Sequence, residues 1–302
     1  MKRTVALTVS LAILALASCA KPQTAWITDI DEATAVASKT KKPLLIVLTG
    51  SDWNEESKTL ATNVFNDEFF GTGTSKYVLC NLDILEDDSA VDQAVAERNY
   101  KAAEALGVTG IPALILLTHL GDVYANVQLD SSLAGPEAFY AVADAHLDNG
   151  KKLASFRRKA DSSKGVERAK NLDAFLEALA PGQREKYGEM IREIPTLDAD
   201  GEAGLKGKYL LQITYLDAVA LFQDGKVTEA GQRFFSLAES GGLTPAQEQE
   251  AWYMGAYMYA MSETVDNALV VKWLEKAVAT DPDGPGAANI RATLEQVRSM
   301  PE

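Results

Sequence analysis

The chain has 302 residues, 47% of them hydrophobic and 24% charged, and no polar low-complexity tract. That is material for two domains with cores of their own, and it excludes a disordered polymer. Acidic side chains outnumber basic ones 43 to 29, for a formal net charge of -14, which argues against nucleic acid and anionic lipid as partners.

Met1-Lys2-Arg3 precedes an apolar run over 5–17 and then small residues, the three parts of a secretory leader. The run is too short to span a bilayer as a mature helix, which takes roughly 20 residues. Leu16-Ala17-Ser18-Cys19 resembles the lipobox of bacterial lipoproteins, in which the cysteine is acylated and becomes the new N-terminus. The resemblance implies a lipoprotein signal peptide over 1–19, lipid rather than a free thiol on Cys19, and a membrane-anchored protein of the cell envelope that faces the periplasm. Ala20 is not the aspartate that commonly holds such proteins at the inner membrane, which favours the outer one. The alternative is an ordinary secretory leader in which Cys19 is incidental.

Residues 28–39 carry Ile30, Ala33, Val36 and Ala37 at helical spacing, with Asp29, Asp31 and Glu32 suited to a first turn and Lys41-Lys42-Pro43 as a stop. Residues 44–48 are a continuous apolar run, the pattern of a strand buried on both faces. A loop over 49–53 leads to a helix over 54–64, a strand over 77–83 and a helix over 91–106, an alternation that implies parallel pairing. A third buried strand covers 113–117, and the Gly121-Asp122 turn is short enough to make a fourth, over 123–129, antiparallel to it. A helix over 137–147 closes this unit, placed at 20–150 with its boundary near 148–152.

Strand, helix, strand, helix, hairpin and helix is the thioredoxin arrangement, and two loops carry the resemblance as well. Thr49-Gly50-Ser51-Asp52-Trp53 resembles the approach to the active site in thioredoxin-like lipoproteins and periplasmic disulfide reductases, and Val108-Thr109-Gly110-Ile111-Pro112 resembles their cis-proline loop. The resemblance implies an α/β thioredoxin-like domain with a mixed four-stranded sheet flanked by helices, a cis Ile111-Pro112 bond, and a backbone before Pro112 that pairs with bound peptide. Where the family has Cys-x-x-Cys-Lys after the tryptophan, this chain reads Asn54-Glu55-Glu56-Ser57-Lys58, so both redox cysteines are replaced, at Asn54 and Ser57.

The replacement matters because one cysteine must ionise at the helix start to attack a disulfide and the second must resolve the mixed disulfide. Asn54 is instead a good N-cap, and Glu55 and Glu56 suit the helix dipole while opposing a thiolate. Ser57 as a new nucleophile needs a base, and the two histidines, His119 and His146, fall outside the loops that face it. Neither metal nor cofactor is expected. Cys80 alternates with Val78 and Leu82 on one strand face and reads as a buried small hydrophobe; the rival reading is a reactive single thiol.

Beyond residue 150 only helical patterns remain, broken at Pro181-Gly182, between Pro195 and Gly207, and at Gly241-Gly242. Helices over 209–222, 227–239, 246–262 and 265–280, with a possible cap over 287–297, form an all-α helical-hairpin domain over 151–302 that loosely resembles tetratricopeptide pairs. Trp252, Tyr253, Tyr257 and Tyr259 with Met254, Met258 and Met261 make one helix apolar nearly all round, which reads as core or as a groove for an apolar peptide segment. Asp198-Ala199-Asp200-Gly201-Glu202 lacks the spacing of a calcium loop and reads as a polar turn.

These readings combine into an expectation. The protein is an exported, lipid-anchored module that binds peptides or proteins in the cell envelope, or serves there as a scaffold, without a dithiol of its own. Trp53, Asn54, Glu55, Glu56, Ile111 and Pro112 would form its binding surface. The alternative is an oxidoreductase-family protein that works through Cys80 or through a partner's cysteines.

Overall fold

The computed structural model describes residues 26–87, 89, 91–262 and 265–299. The expected signal peptide and the lipid-bearing Cys19 lie outside them.

Helix α1 (Ile30–Thr40) starts where the Asp29 carboxylate accepts the Asp31 and Glu32 amides, and it ends at Lys41, whose φ of 60° is left-handed. It buries Ala33 and Ala37 against one face of the sheet. Strand β1 (Leu44–Thr49) is buried along its whole length because it is central and covered on both faces. The sheet runs β2-β1-β3-β4, with β2 (Val78–Asp83) parallel to β1, and with β3 (Ala113–Leu117) antiparallel both to β1 and to β4 (Val123–Gln128). This is the mixed four-stranded sheet that the resemblance implies. Leu44 pairs with Val78 and Leu117 at one end of the sheet, and Leu48 with Leu82 and Ala113 at the other.

Between the sheet's first two strands lie two helices, α2 (Glu55–Asn63) and α3 (Asp67–Lys76), where sequence reading finds one. The α3 segment holds two glycines and two threonines, weak helix formers, so no periodicity marks it. It forms because the Asn66 side chain caps it and because Phe69 is buried among Trp26, Phe65, Phe139 and Tyr140, with ring centroids 5.0–5.3 Å from Phe69. The Tyr140 hydroxyl donates to the Phe69 carbonyl at 2.9 Å, and a Cβ on Gly73 would fall 2.0 Å from that hydroxyl. Gly73→Ala is therefore expected to lose about 1–2 kcal/mol in urea unfolding, overpacking outweighing the gain in helix propensity. A stabilised variant would show that Tyr140 yields freely.

After α4 (Gln93–Ala105) and the β3–β4 hairpin come α5 (Pro136–Asp144), α6 (Leu147–Ser162), α7 (Gly165–Glu177), a 3-10 turn (Arg184–Tyr187) and α8 (Gly188–Leu197). No linker lies at 148–152, since α6 runs through it. The apolar cluster under the sheet, with Leu45, Leu116 and Phe139, continues through Leu153, Leu172, Phe175 and Ile194 to Tyr209. Pro195 lies inside α8 rather than at its end, and the break expected there begins at Asp198. The buried Asp198 carboxylate accepts the amides of Ala203, Leu205 and Lys206 at 2.8–3.1 Å, so the polar turn is held by backbone donors. Burial would raise its pKa; those three amides outweigh that and hold it below the ordinary carboxylate range.

The remaining helices are α9 (Lys206–Gln223), α10 (Val227–Glu239), α11 (Pro245–Ala260), α12 (Asn267–Thr280) and α13 (Ala287–Arg298), each packed chiefly on its neighbours in sequence. Thr244 and Gln247 form the capping box that opens α11. Trp252 is core, packed near Phe235 and capped by the Lys276 ammonium 3.5 Å from its ring centroid. Among the described residues no helix is long and apolar enough to cross a membrane.

Candidate functional site

At the end of β1 the chain turns out of the sheet, and the loop it enters is fastened to the end of β2. The Asp83 carboxylate accepts from the Thr49 hydroxyl at 2.7 Å and from the Ser51 amide at 2.9 Å. The Asp52 carboxylate accepts the amides of Asp87 and Glu86 at 2.9 and 3.0 Å, and these donors hold it below the usual carboxylate range. Trp53 donates its indole N–H to the Ile84 carbonyl at 2.8 Å and lies on Gly50, where a Cβ would sit 2.4 Å from the ring. The indole is thereby fixed in place with 43% of its surface exposed.

Asn54 caps α2 through Oδ1, which accepts the Ser57 amide at 2.8 Å and the Ser57 hydroxyl at 2.9 Å. The Ser57 Oγ in turn accepts the Gly50 amide at 3.1 Å. Asn54 Nδ2 reaches across to donate to the Ile111 carbonyl at 3.3 Å. The two positions that would carry a dithiol are thus joined by a hydrogen bond, and one of them also engages the carbonyl that precedes the proline. The Ile111-Pro112 bond is cis. Gln128 Nε2 and the Leu129 amide both donate to the Pro112 carbonyl, at 2.8 and 2.9 Å, which holds this loop against β4.

The hydroxyl of buried Ser57 donates to Asn54 and accepts from Gly50, and among the described residues neither histidine faces it. His119 follows β3 at the sheet end where Leu117 meets Leu44, opposite the loop at Thr49, and His146 lies between α5 and α6. Among the described residues no group of three or more His, Cys, Asp or Glu is placed to hold a metal. Glu55 and Glu56 are exposed on the first turn of α2, with Glu55 paired to Lys58 at 2.8 Å. Between Trp53 and Ile111 a groove of about 320 Å³ opens, walled further by Ile84, Tyr100 and Val108.

Cys80 is fully buried in the middle of β2, away from this groove. Burial first, and then the charges of Asp29 and Glu32, push its thiol up to about 12. At pH 8 the native thiolate fraction is then about a thousandfold below that of an ordinary cysteine. Alkylation of the folded protein with iodoacetamide should accordingly be at least a hundredfold slower than in urea, and fast native labelling would restore the reactive-thiol reading.

Residues 25–118 match the family described as Thioredoxin-like. The N-terminal domain is thioredoxin-like. Residues 205–302 match a family described as Uncharacterised protein C-terminal domain. The chain is similar to an uncharacterized protein of Treponema pallidum (strain Nichols), 27% identical over 284 residues, which span 94% of this chain and 93% of that one. The chain is also similar to the Thioredoxin-related protein DsbJ of Chlamydia pneumoniae, 26% identical over 95 residues, 31% of this chain and 27% of the relative. A solved structure titled DsbH Oxidoreductase matches with a TM-score of 0.38 and 18% identity, covering 48% of this chain and 95% of its own.

Sequence reading groups Trp53, Asn54, Glu55, Glu56, Ile111 and Pro112 as one surface; in the structure Trp53 and Ile111 line the groove and Asn54 bonds the carbonyl before Pro112, while Glu55 and Glu56 stand exposed outside the groove lining. Sequence reading misses Ile84 and Tyr100, which complete the groove wall. Tyr100 is 61% exposed on a helix with no marked apolar stripe, and only that exposed aromatic could have signalled it.

Proposed function

We propose that this is an exported, lipid-anchored protein of the cell envelope whose thioredoxin-like domain binds extended segments of other polypeptides without a dithiol of its own. The observation that carries the reading is the Asn54 bridge, which ties Ser57 to the Ile111 carbonyl and turns the redox loop into a fixed polar wall beside Trp53 and the cis-proline. Main-chain pairing and shape serve such recognition without thiols. The helical hairpins that follow, including the loose tetratricopeptide likeness, would present a further protein-docking face. The lipobox at Cys19 supports the anchor, and Ala20 the outer membrane.

A permanently unfolded, thiol-free polypeptide such as reduced and carboxymethylated lactalbumin tests this directly. Titration should change the fluorescence of Trp53, and Ile111→Asp should weaken binding about tenfold or more. An absence of binding sinks the reading. Insulin reduction above the rate of the thiol donor alone would instead favour exchange through Cys80 or a partner's cysteines.

A further inference from the structure

Beside the groove lies a larger cavity of about 1050 Å³, between the end of β2 and α4, walled by Ile84, Leu85, Val91, Val95 and Tyr100. Ile84 and Tyr100 line both spaces, so the two are neighbours along one surface. Its wall holds a polar group that the fold leaves incomplete. Asn99 is 6% exposed, its Nδ2 donates to the Thr28 carbonyl at 2.7 Å, and its Oδ1 is buried with no hydrogen-bond partner among the described residues. A buried acceptor without a donor is unfavourable, and a ligand that brings an N–H would relieve it.

The cavity also meets an incompletely covered strand edge. Ile27 pairs with β2 through the Leu79 carbonyl and the Asn81 amide, while the Ile84 amide turns inward to Thr49. The same alternation directs the Asp83 backbone amide outward, past Ile27, where Asp83 borders the cavity. Charge selects among occupants. Asp83 and Asp92 border it, while Glu97 and Lys101, also on its wall, offset each other at 2.6 Å, so the net charge there is negative.

We infer that this cavity is a second subsite for the bound polypeptide, which takes a bulky apolar side chain flanked by basic residues and supplies a backbone N–H to Asn99. The inference rests on the peptide-binding reading of the adjoining groove, and its occupant is a polypeptide segment.

The test uses the uniformly ¹⁵N-labelled protein with two blocked tripeptides, acetyl-Lys-Phe-Lys-amide and acetyl-Glu-Phe-Glu-amide, beside the unfolded polypeptide named above. The basic tripeptide should shift the amides of residues 91–100 and the Asn99 side-chain amide, and it should bind at least tenfold tighter than the acidic one. Ala96→Phe, which narrows the cavity, should abolish those shifts and weaken the unfolded polypeptide about tenfold. Val91→Lys, at a position 41% exposed where folding is not at stake, should weaken the basic tripeptide to a similar degree. If the unfolded polypeptide binds at Trp53 but neither tripeptide shifts residues 91–100, the subsite is overturned and the groove reading stands. Equal affinity for the two tripeptides overturns the charge selection. Tripeptide shifts without any binding of the longer chain overturn both readings.

Discussion

Asp122→Ala should cost the protein about 3–5 kcal/mol, among the largest effects of any single polar substitution in it. Asp122 is 2% exposed, at the turn between β3 and β4. It accepts from Arg157 Nη1 at 3.1 Å, from the Tyr187 hydroxyl at 2.8 Å and from the Thr118 hydroxyl at 3.2 Å. Removing the carboxylate leaves a largely enclosed guanidinium, resting 5.3 Å from the Phe175 ring centroid, with only the more exposed Asp161 carboxylate, 3.7 Å from Nε, as counter-charge. The Tyr187 hydroxyl loses its acceptor as well. A cost of that size lowers the melting temperature by roughly 6–15 °C, read by circular dichroism with a matching shift in the urea midpoint. Asp122→Asn, which keeps the shape and one acceptor, should cost less than half as much. A loss below about 1 kcal/mol for the alanine variant would mean that α6 and the 3-10 turn hold to the sheet by apolar contact alone.

The second large effect is a gain. Asn54 Oδ1 and Ser57 Oγ lie 2.9 Å apart, so side chains at these two positions already meet. The double variant Asn54→Cys, Ser57→Cys should form an intramolecular disulfide on air oxidation and reduce insulin above the donor-only rate, which the parent protein should not exceed. Glu55 and Glu56 remain in the first turn of α2, where their charge opposes the thiolate that the helix start would otherwise favour. Each acts on the order of 0.5 kcal/mol at this exposure, so adding Glu55→Gln and Glu56→Gln should speed the reaction about fivefold at pH 7 and low salt. The gain should shrink in 1 M salt and vanish once pH exceeds the pKa of the attacking thiol. Failure of the two cysteines to pair would show that the loop is held in another geometry.

Sequence alone discloses the parts of this molecule whose causes are local or periodic. Residues 44–48 and 113–117 declare themselves as central strands because burial on both faces requires an unbroken apolar run, and both are buried throughout. Asn54 and Thr244 are legible as helix starts because capping is settled within three residues. Helix α3 is hidden because distant aromatic side chains stabilise it rather than its own residues. The unbroken passage of α6 across 148–152 is hidden for a related reason: composition changes there while packing does not, and Leu153 and Ala160 enter the cluster that the sheet begins. The cavity beside α4 is least legible of all. Asn99 reads as an ordinary surface asparagine until the Thr28 carbonyl arrives from a segment 71 residues earlier and buries it.

The likeness to the Thioredoxin-like family stops at residue 118, in the turn between β3 and β4, part-way through a sheet. The chain after that point is no appendage. The Ala180 amide donates to the Val123 carbonyl at 3.0 Å, and Gln183 Nε2 reaches the Leu106 carbonyl at 3.0 Å, so the stretch that follows α7 is stitched to both the hairpin and the end of α4. The stretch that matches the family and the stretch that folds as a unit therefore have different borders. A fragment cut at residue 118 or 150 keeps the matching stretch but loses Leu153, Leu172, Phe175 and Ile194 from the cluster under its sheet, and it should aggregate where a fragment reaching past Tyr209 stays in solution.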